Sequence, residues 1–283
     1  MTSIPNKCAN NFCLPVLGLG TYQIGGNQEQ NIPYDSVQDI AGIKKAIELG
    51  FTHIDTAESY SEGLSEKLVG EAIKNFDRSQ LFITTKVRRS NLRYDDVIRS
   101  AKASLDRLGI KIIDLYLIHA PSSDVPISET MKAMDFLLEN ELVKNIGVSN
   151  FNTEQLEGAM AETKYSIVNN QIHYNLGARA FEHNNTLSFC EKHGILVTAY
   201  RIVGYEQLLP GISILKSLAA KYKKTPIQIA LNWLISQPNV VGLIKSIDPE
   251  HIKENLGALG WNMEKSDVDY LSCNFPAGET INI

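Results

Sequence analysis

Short apolar, β-branched runs alternate with helical patterns along almost the whole chain. Runs at 16–21, 51–56, 81–86, 113–119, 145–150, 167–174, 195–201 and 240–246 read as eight strands. Several are apolar at nearly every position, as parallel strands covered on both faces are, and their separations leave room for a crossover helix after each. Between them Val37, Ile40, Ile43 and Ile47 fall at helical spacing before Gly50, which sits where a helix C-terminal cap is expected. Thr225 followed by Pro226 reads as N-cap and first helical position, and Asp248 followed by Pro249 repeats that grammar. Eight alternations without a Pro/Gly/Ser-rich linker predict class α/β and a single-domain (β/α)8 TIM barrel over 1–283, in preference to an open doubly wound sheet. The GLG at 18–20 is a poor dinucleotide fingerprint, because position 23 is Gln and GxGxxG is not completed.

Composition narrows the function classes. Charged residues make up 21% of the chain, hydrophobic ones 43%, and the net charge is −5, which excludes disorder and collagen-like order. An acidic chain lacks the footprint that phosphate-backbone binding needs, and the short cluster Lys221, Lys223 and Lys224 reads as a solvated helix face, so no nucleic-acid partner is expected. No apolar stretch reaches the ~18 residues of a membrane span, and the first residues, MTSIPNKCANNF, have neither a basic nor an apolar leader region. A cytoplasmic protein without a membrane partner is expected, and with no exposed apolar stripe, a monomer. Cys8, Cys13, Cys190 and Cys273 lack CxxC spacing and read as reduced structural thiols. His53, His173, His183 and His193 have no metal-ligand spacing, and no catalytic metal is expected.

Barrel active sites occupy the C-terminal ends of the strands, so the residues that end each strand carry the chemistry. The second strand runs into Asp55 and then Tyr60; the third ends at Lys86, the fourth at His119, the fifth at Ser149 and Asn150, and the sixth carries Asn170 and Gln171. A Lys paired to a buried carboxylate beside a phenol is expected to lower the phenol's pKa from about 10 and make it a proton donor near neutral pH. Lys245 and Ser246 end the eighth strand just before the helix capped by Asp248, where free backbone N–H groups, the helix dipole and a cation could hold an anion.

Taken in order, GLGTY at 18–22, GFTHIDTAESY at 50–60, ITTKV at 83–87, DLYLIH at 114–119, GVSNF at 147–151, NQ at 170–171 and the IKS…EN segment at 244–255 resemble the aldo-keto reductase family over nearly the full length. The resemblance implies NADPH-dependent reduction of aldehydes and ketones by hydride transfer, with a small-molecule carbonyl substrate. Tyr60 would be the general acid, Lys86 paired with Asp55 would depress its pKa, and His119 would orient the carbonyl. Ser149, Asn150 and Gln171 would hold the nicotinamide carboxamide and Tyr200 would stack on its ring, with Gly20, Thr21, Tyr22, Asp55 and Arg201 alongside. Lys245 and Ser246 would meet the 2′-phosphate, with His251, Glu254 and Asn255 near the adenine end.

Departures from the family pattern shape the remaining expectations. Where many relatives carry Arg against the 2′-phosphate stands His251, a poor substitute for a fixed guanidinium, which predicts NADP(H) use with relaxed discrimination over NAD(H). Aromatic walls of the substrate pocket are replaced by Arg88 and Ala120, leaving Tyr22, so that Tyr22, Arg88, His119 and Ala120 outline an open pocket suited to polar or anionic carbonyls, unless Arg88 points to solvent. The polar segment 23–35 is a lid or a long loop. Two rivals stand beside the reductase: an NADPH-binding regulatory or sensor barrel, and a Schiff-base aldolase using Lys86.

Overall fold

The computed structural model describes residues 4–26, 35–203 and 208–277. An N-terminal hairpin, β1 (Asn6–Ala9) and β2 (Phe12–Pro15), precedes β3 (Leu17–Gly20), β4 (His53–Asp55), β5 (Phe82–Val87), β6 (Leu115–Ile118), β7 (Ile146–Ser149), β8 (Ile167–His173), β9 (Leu196–Tyr200) and β10 (Val240–Ile244). Strands β3 to β10 pair in parallel in sequence order, and β10 pairs with β3 and β9, so the sheet closes into an eight-stranded barrel. Helices α1 (Ser36–Glu48), α2 (Leu64–Ile73), α3 (Tyr94–Leu108), α4 (Ile127–Glu139), α5 (Thr153–Ala161), α6 (Ala180–His183), α7 (Thr186–His193), α8 (Ile212–Tyr222), α9 (Pro226–Ser236), α10 (Pro249–Leu256) and α11 (Lys265–Asn274) complete the order. This is the (β/α)8 barrel the alternation predicts.

The helix grammar has the physical basis read from the sequence. Thr225 caps α9 with its side chain while Gln228 reaches back, a capping box. The Asp248 carboxylate accepts from the N–H groups of Glu250 and His251 at the start of α10. In α1, Ile43 is fully buried and Ile40 and Ile47 pack against the core, but Val37 is 75% exposed, since it stands on the outward side of the first turn. Gly50 follows α1 at φ 110°, which a side chain would resist.

The hairpin was not expected. Asn10 adopts φ 51° in its turn, which brings Cys8 opposite Cys13 with their Cα atoms 4.1 Å apart, and the two form a disulfide. The expectation of four reduced thiols is corrected for this pair; Cys190 is free and buried, Cys273 free and exposed. Both bridged cysteines face solvent, while Phe12 and Leu14 turn the other way and pack with Leu115, Leu117, Leu196 and Val241 at the lower end of the barrel interior. Lys7 Nζ binds the carbonyls of Ile235, Gln237 and Val240, tying the hairpin to the α9–β10 connection. The lower end of the barrel is therefore plugged, which leaves the strand C-terminal ends as the open mouth.

Candidate active site

Strand pleating places residues two apart on the same side, and the polar residues near the mouth obey that period. On β4 and β5, His53 bonds Thr84 at 3.0 Å in one layer, and in the next layer up Lys86 Nζ bonds Asp55 Oδ1 at 2.6 Å. Lys86 is fully buried and Asp55 is 2% exposed. The other carboxylate oxygen, Oδ2, accepts from Gln171 Nε2 on β8 at 2.7 Å, so one Asp links strands across the barrel. Lys86 Nζ also donates to the Thr56 carbonyl at 2.8 Å and lies 3.5 Å from Tyr60 Oη. An ammonium so engaged is a poor Schiff-base nucleophile, which disfavours the aldolase reading.

Tyr60 sits in the tight turn before α2, where Ser61 and Glu62 both take left-handed backbone angles. Its ring meets Tyr22 edge-on at 5.4 Å and His119 at 5.7 Å. His119 Nδ1 lies 3.2 Å from Ser59 Oγ. Asn150, with φ 65°, donates from Nδ2 to the His119 carbonyl at 3.2 Å and to Ser149 Oγ at 3.1 Å, while its Oδ1 accepts from Tyr200 Oη at 3.0 Å. Ser149 Oγ in turn donates to the Gln171 carbonyl at 2.8 Å. Four strand ends are thus locked to one another by side chains the sequence singles out.

These residues surround a cavity of about 450 Å³ lined by Gly20, Tyr22, Asp55, Tyr60, His119, Ala120, Ser149, Asn150, Gln171, Tyr200, Arg201 and Lys245, with Ile202, Val203 and Leu243 as apolar wall. A larger groove of about 750 Å³ flanks α2 and α3, but its Arg78 and Lys144 are paired with Asp114 and its Arg107 with Glu66, and its Asp106 and Lys111 are exposed.

The electrostatics of the cavity correct one expectation. Burial, and next the Asp55 carboxylate, push the Tyr60 phenol well above its usual 10. The reason is that desolvation dominates and the Asp55 carboxylate adds to it, while the Lys86 ammonium is already engaged by Asp55. Lys86 is itself shifted down by burial, opposed by Asp55. Burial, then Lys86 and Arg88, lower His119 to about 3, so its imidazole is neutral at ordinary pH. The Tyr200 phenol is pushed up to about 12, chiefly by burial.

Several expected contacts lie elsewhere. Thr21 is fully buried, donates to the Asp55 carbonyl at 3.0 Å and does not line the cavity. Arg88 does not line it either: its guanidinium donates to the Glu58 carbonyl at 3.2 Å and to Glu62 at 2.9 Å, on the far side of the turn that carries Tyr60. Its expected role against substrate anions is corrected accordingly. Asn170 turns its Nδ2 to the Phe151 carbonyl. Lys245 Nζ is held by Gln23 Oε1 at 2.7 Å, and Ser246 Oγ accepts from the N–H of Asp248. On α10, His251 is exposed, Glu254 part-buried and Asn255 buried, a surface continuous in sequence with Lys245. Of the segment 23–35, residues 27–34 lie outside the described residues.

Sequence reasoning passed over three participants. Buried Glu58 accepts the Arg88 N–H at 2.7 Å and Asn91 Nδ2 at 3.2 Å, fixing the strand end behind Tyr60. Ser59 contacts His119, and the Thr56 carbonyl receives Lys86. Glu58 and Ser59 lie inside the AESY run, which was the available signal; a backbone carbonyl leaves none.

The aldo/keto reductase family model matches residues 16–272. The chain belongs to that family. Methylglyoxal reductase DkgB of Escherichia coli O157:H7 is 32% identical over 271 residues, spanning 93% of this chain and 95% of that one. Among solved structures, the thermostable aldo-keto reductase Tm1743, in complex with the inhibitor epalrestat, is 38% identical with a TM-score of 0.91, over 95% of this chain and 98% of that one. An aldo/keto reductase from Klebsiella pneumoniae, in complex with NADP and acetate, is 28% identical with a TM-score of 0.85, over 99% and 98%. Membership makes the protein an oxidoreductase, in keeping with the closed barrel and open mouth described above.

Proposed function

We propose that this protein reduces aldehydes and ketones to alcohols with NADPH, Tyr60 supplying the proton. The observation that carries the reading is the convergence of Tyr60, Lys86, Asp55 and His119 at one wall of the cavity, with Lys86 Nζ 3.5 Å from the phenol oxygen. NADPH, when bound, supplies the hydride. The opposite wall fits a nicotinamide: Tyr200 offers an aromatic face, and Gln171, whose Nε2 is committed to Asp55, keeps its amide oxygen without a side-chain partner among the described residues. Ser149 and Asn150 hold the neighbouring edge, and Lys245, Ser246, His251, Glu254 and Asn255 extend the surface for the phosphate and adenine end.

The carbonyl oxygen is received by two neutral donors. In the tautomer in which Nδ1 accepts from Ser59, His119 carries its proton on Nε2 and can donate it to orient the oxygen. Tyr60, whose phenol keeps its proton because burial raises its pKa, transfers that proton to the oxygen as negative charge develops there. The phenolate left behind faces the Lys86 ammonium, so the pair with Asp55 acts on the charge formed in the reaction more than on the resting phenol. Water then returns a proton to Tyr60. The same reading carries a cytoplasmic monomer acting on small carbonyl compounds, which size-exclusion chromatography and cell fractionation test.

The decisive experiment is NADPH oxidation with methylglyoxal, benzaldehyde, a carboxylated aldehyde and an aldose, for wild type and Tyr60→Phe. Loss of the phenol O–H with the ring packing kept is expected to lower kcat by about 10²–10⁴-fold with NADPH affinity unchanged. Binding of NADPH without turnover of any carbonyl by wild type would favour the sensor barrel instead.

A further inference from the structure

Arg201, which the family resemblance sets alongside the cofactor, is the cavity cation to which the reductase reading gives no step of its own. It follows β9 directly, lines the cavity, and is exposed, while its backbone holds φ 54°, a left-handed conformation that a long side chain adopts at a cost. Asn175 keeps it there: its Nδ2 donates to the Arg201 carbonyl at 2.8 Å and also lies 3.4 Å from His173 Nε2, and His173 stacks on Tyr200 at 5.6 Å. A strained backbone braced by a buried amide at the rim of a reactive cavity points to a positional demand on the side chain.

The other cations of this region are ion-paired or already assigned to the cofactor's phosphate end. Lys86 is paired with Asp55, Arg88 with Glu62, and Lys245 is held by Gln23. For Arg201, no carboxylate among the described residues comes within ion-pair distance, and the one carboxylate lining the cavity, Asp55, is already engaged on both oxygens. The guanidinium's charge opposes the upward shift of the Tyr60 phenol, while Lys245 interacts with Asp39.

We propose that Arg201 pairs with an anionic group of the bound reactants, and that this group is the carboxylate of a carbonyl substrate, making Arg201 the residue that selects carboxylated aldehydes and ketones. The inference rests on the reductase reading and supplies the anion recognition that Arg88 cannot, its guanidinium being turned to Glu62. A planar fork presenting two parallel N–H groups is the geometry a carboxylate takes.

The test compares benzaldehyde with para-carboxybenzaldehyde, which differ only in the carboxylate. The readout is the ratio of their kcat/KM values in wild type, Arg201→Gln and Arg201→Lys, with NADPH affinity measured separately by fluorescence titration. The ratio is expected to favour the carboxylated substrate in wild type, to fall by about 10- to 100-fold in Arg201→Gln, mostly through KM, and to be partly rescued in Arg201→Lys. An unchanged ratio overturns the proposal; if NADPH affinity drops at the same time, the guanidinium belongs to the dinucleotide diphosphate. Wild-type turnover of benzaldehyde tests the reductase reading by itself, so failure of the one is distinguished from failure of the other. Should the variants not fold, inhibition of wild-type benzaldehyde reduction by terephthalate more strongly than by benzoate, whose single carboxylate can rest on Tyr60 and His119, supports the proposal, and equal inhibition overturns it.

Discussion

Replacing Lys86 with Met isolates the charge at the centre of the barrel. Met matches the aliphatic stem but removes the ammonium, leaving the buried Asp55 carboxylate with Gln171 Nε2 at 2.7 Å as its remaining side-chain donor. Breaking one side of a buried pair costs about 3–5 kcal/mol, because the surviving charge is neither solvated nor compensated. Protonation sets a ceiling: neutralising a carboxylate with a reference pKa of about 3.9 at pH 7 costs about 4 kcal/mol, so the variant escapes any larger electrostatic penalty by binding a proton. The two figures agree, and the second makes the penalty fall by about 1.4 kcal/mol for each unit the pH is lowered. Urea unfolding of wild type and Lys86→Met at pH 7 and pH 5 is expected to give a stability difference of about 4 kcal/mol, shrinking to roughly 1.5 kcal/mol. The double variant Asp55→Asn/Lys86→Met is expected to be more stable than Lys86→Met at pH 7. A penalty below about 1 kcal/mol, or one that ignores pH, would refute the view that a buried ion pair holds this layer together.

Three further outcomes follow from the structure. Burial holds His53 and His173 near about 4 and His119 near about 3 against a reference of 6.5, so below pH 6.5 the folded chain binds fewer protons than the unfolded one and stability falls as pH drops, by roughly 2 kcal/mol per ring at pH 5; thermal unfolding that is level from pH 7 to 5 would contradict this. Reducing Cys8–Cys13 opens a very short loop, worth about 2 kcal/mol by chain entropy, and is expected to lower the melting midpoint by a few degrees, matched by Cys8→Ser/Cys13→Ser; no shift on reduction would show the plug is held by Phe12, Leu14 and Lys7 alone. NADPH is expected to be preferred over NADH, with a discrimination that rises in His251→Arg; equal kcat/KM for both cofactors in wild type would remove the preference.

What the chain declares locally and what it leaves to assembly divide cleanly at this site. The eight strands, their caps at Thr225 and Asp248, and the residues that end each strand are set by short-range patterns: pleating fixes which side of a strand a residue takes, and parallel order fixes that all the ends share one mouth. Asp55, Tyr60, Lys86, His119, Ser149, Asn150 and Gln171 were therefore legible before any coordinates, and the structure brings them within hydrogen-bonding reach of one another. The direction of the Tyr60 shift was not legible, because it depends on how much water the closed site excludes and on the Asp55 carboxylate beside the phenol. Nor was the aim of Arg88, which is decided by Glu58 and Glu62 from another turn, nor the pairing of Cys8 with Cys13, which needs the left-handed Asn10. Strand identity and register follow from a period of two residues carried by the chain itself, whereas charge balance, solvent exclusion and the reach of a long side chain are sums over neighbours that only the folded barrel supplies.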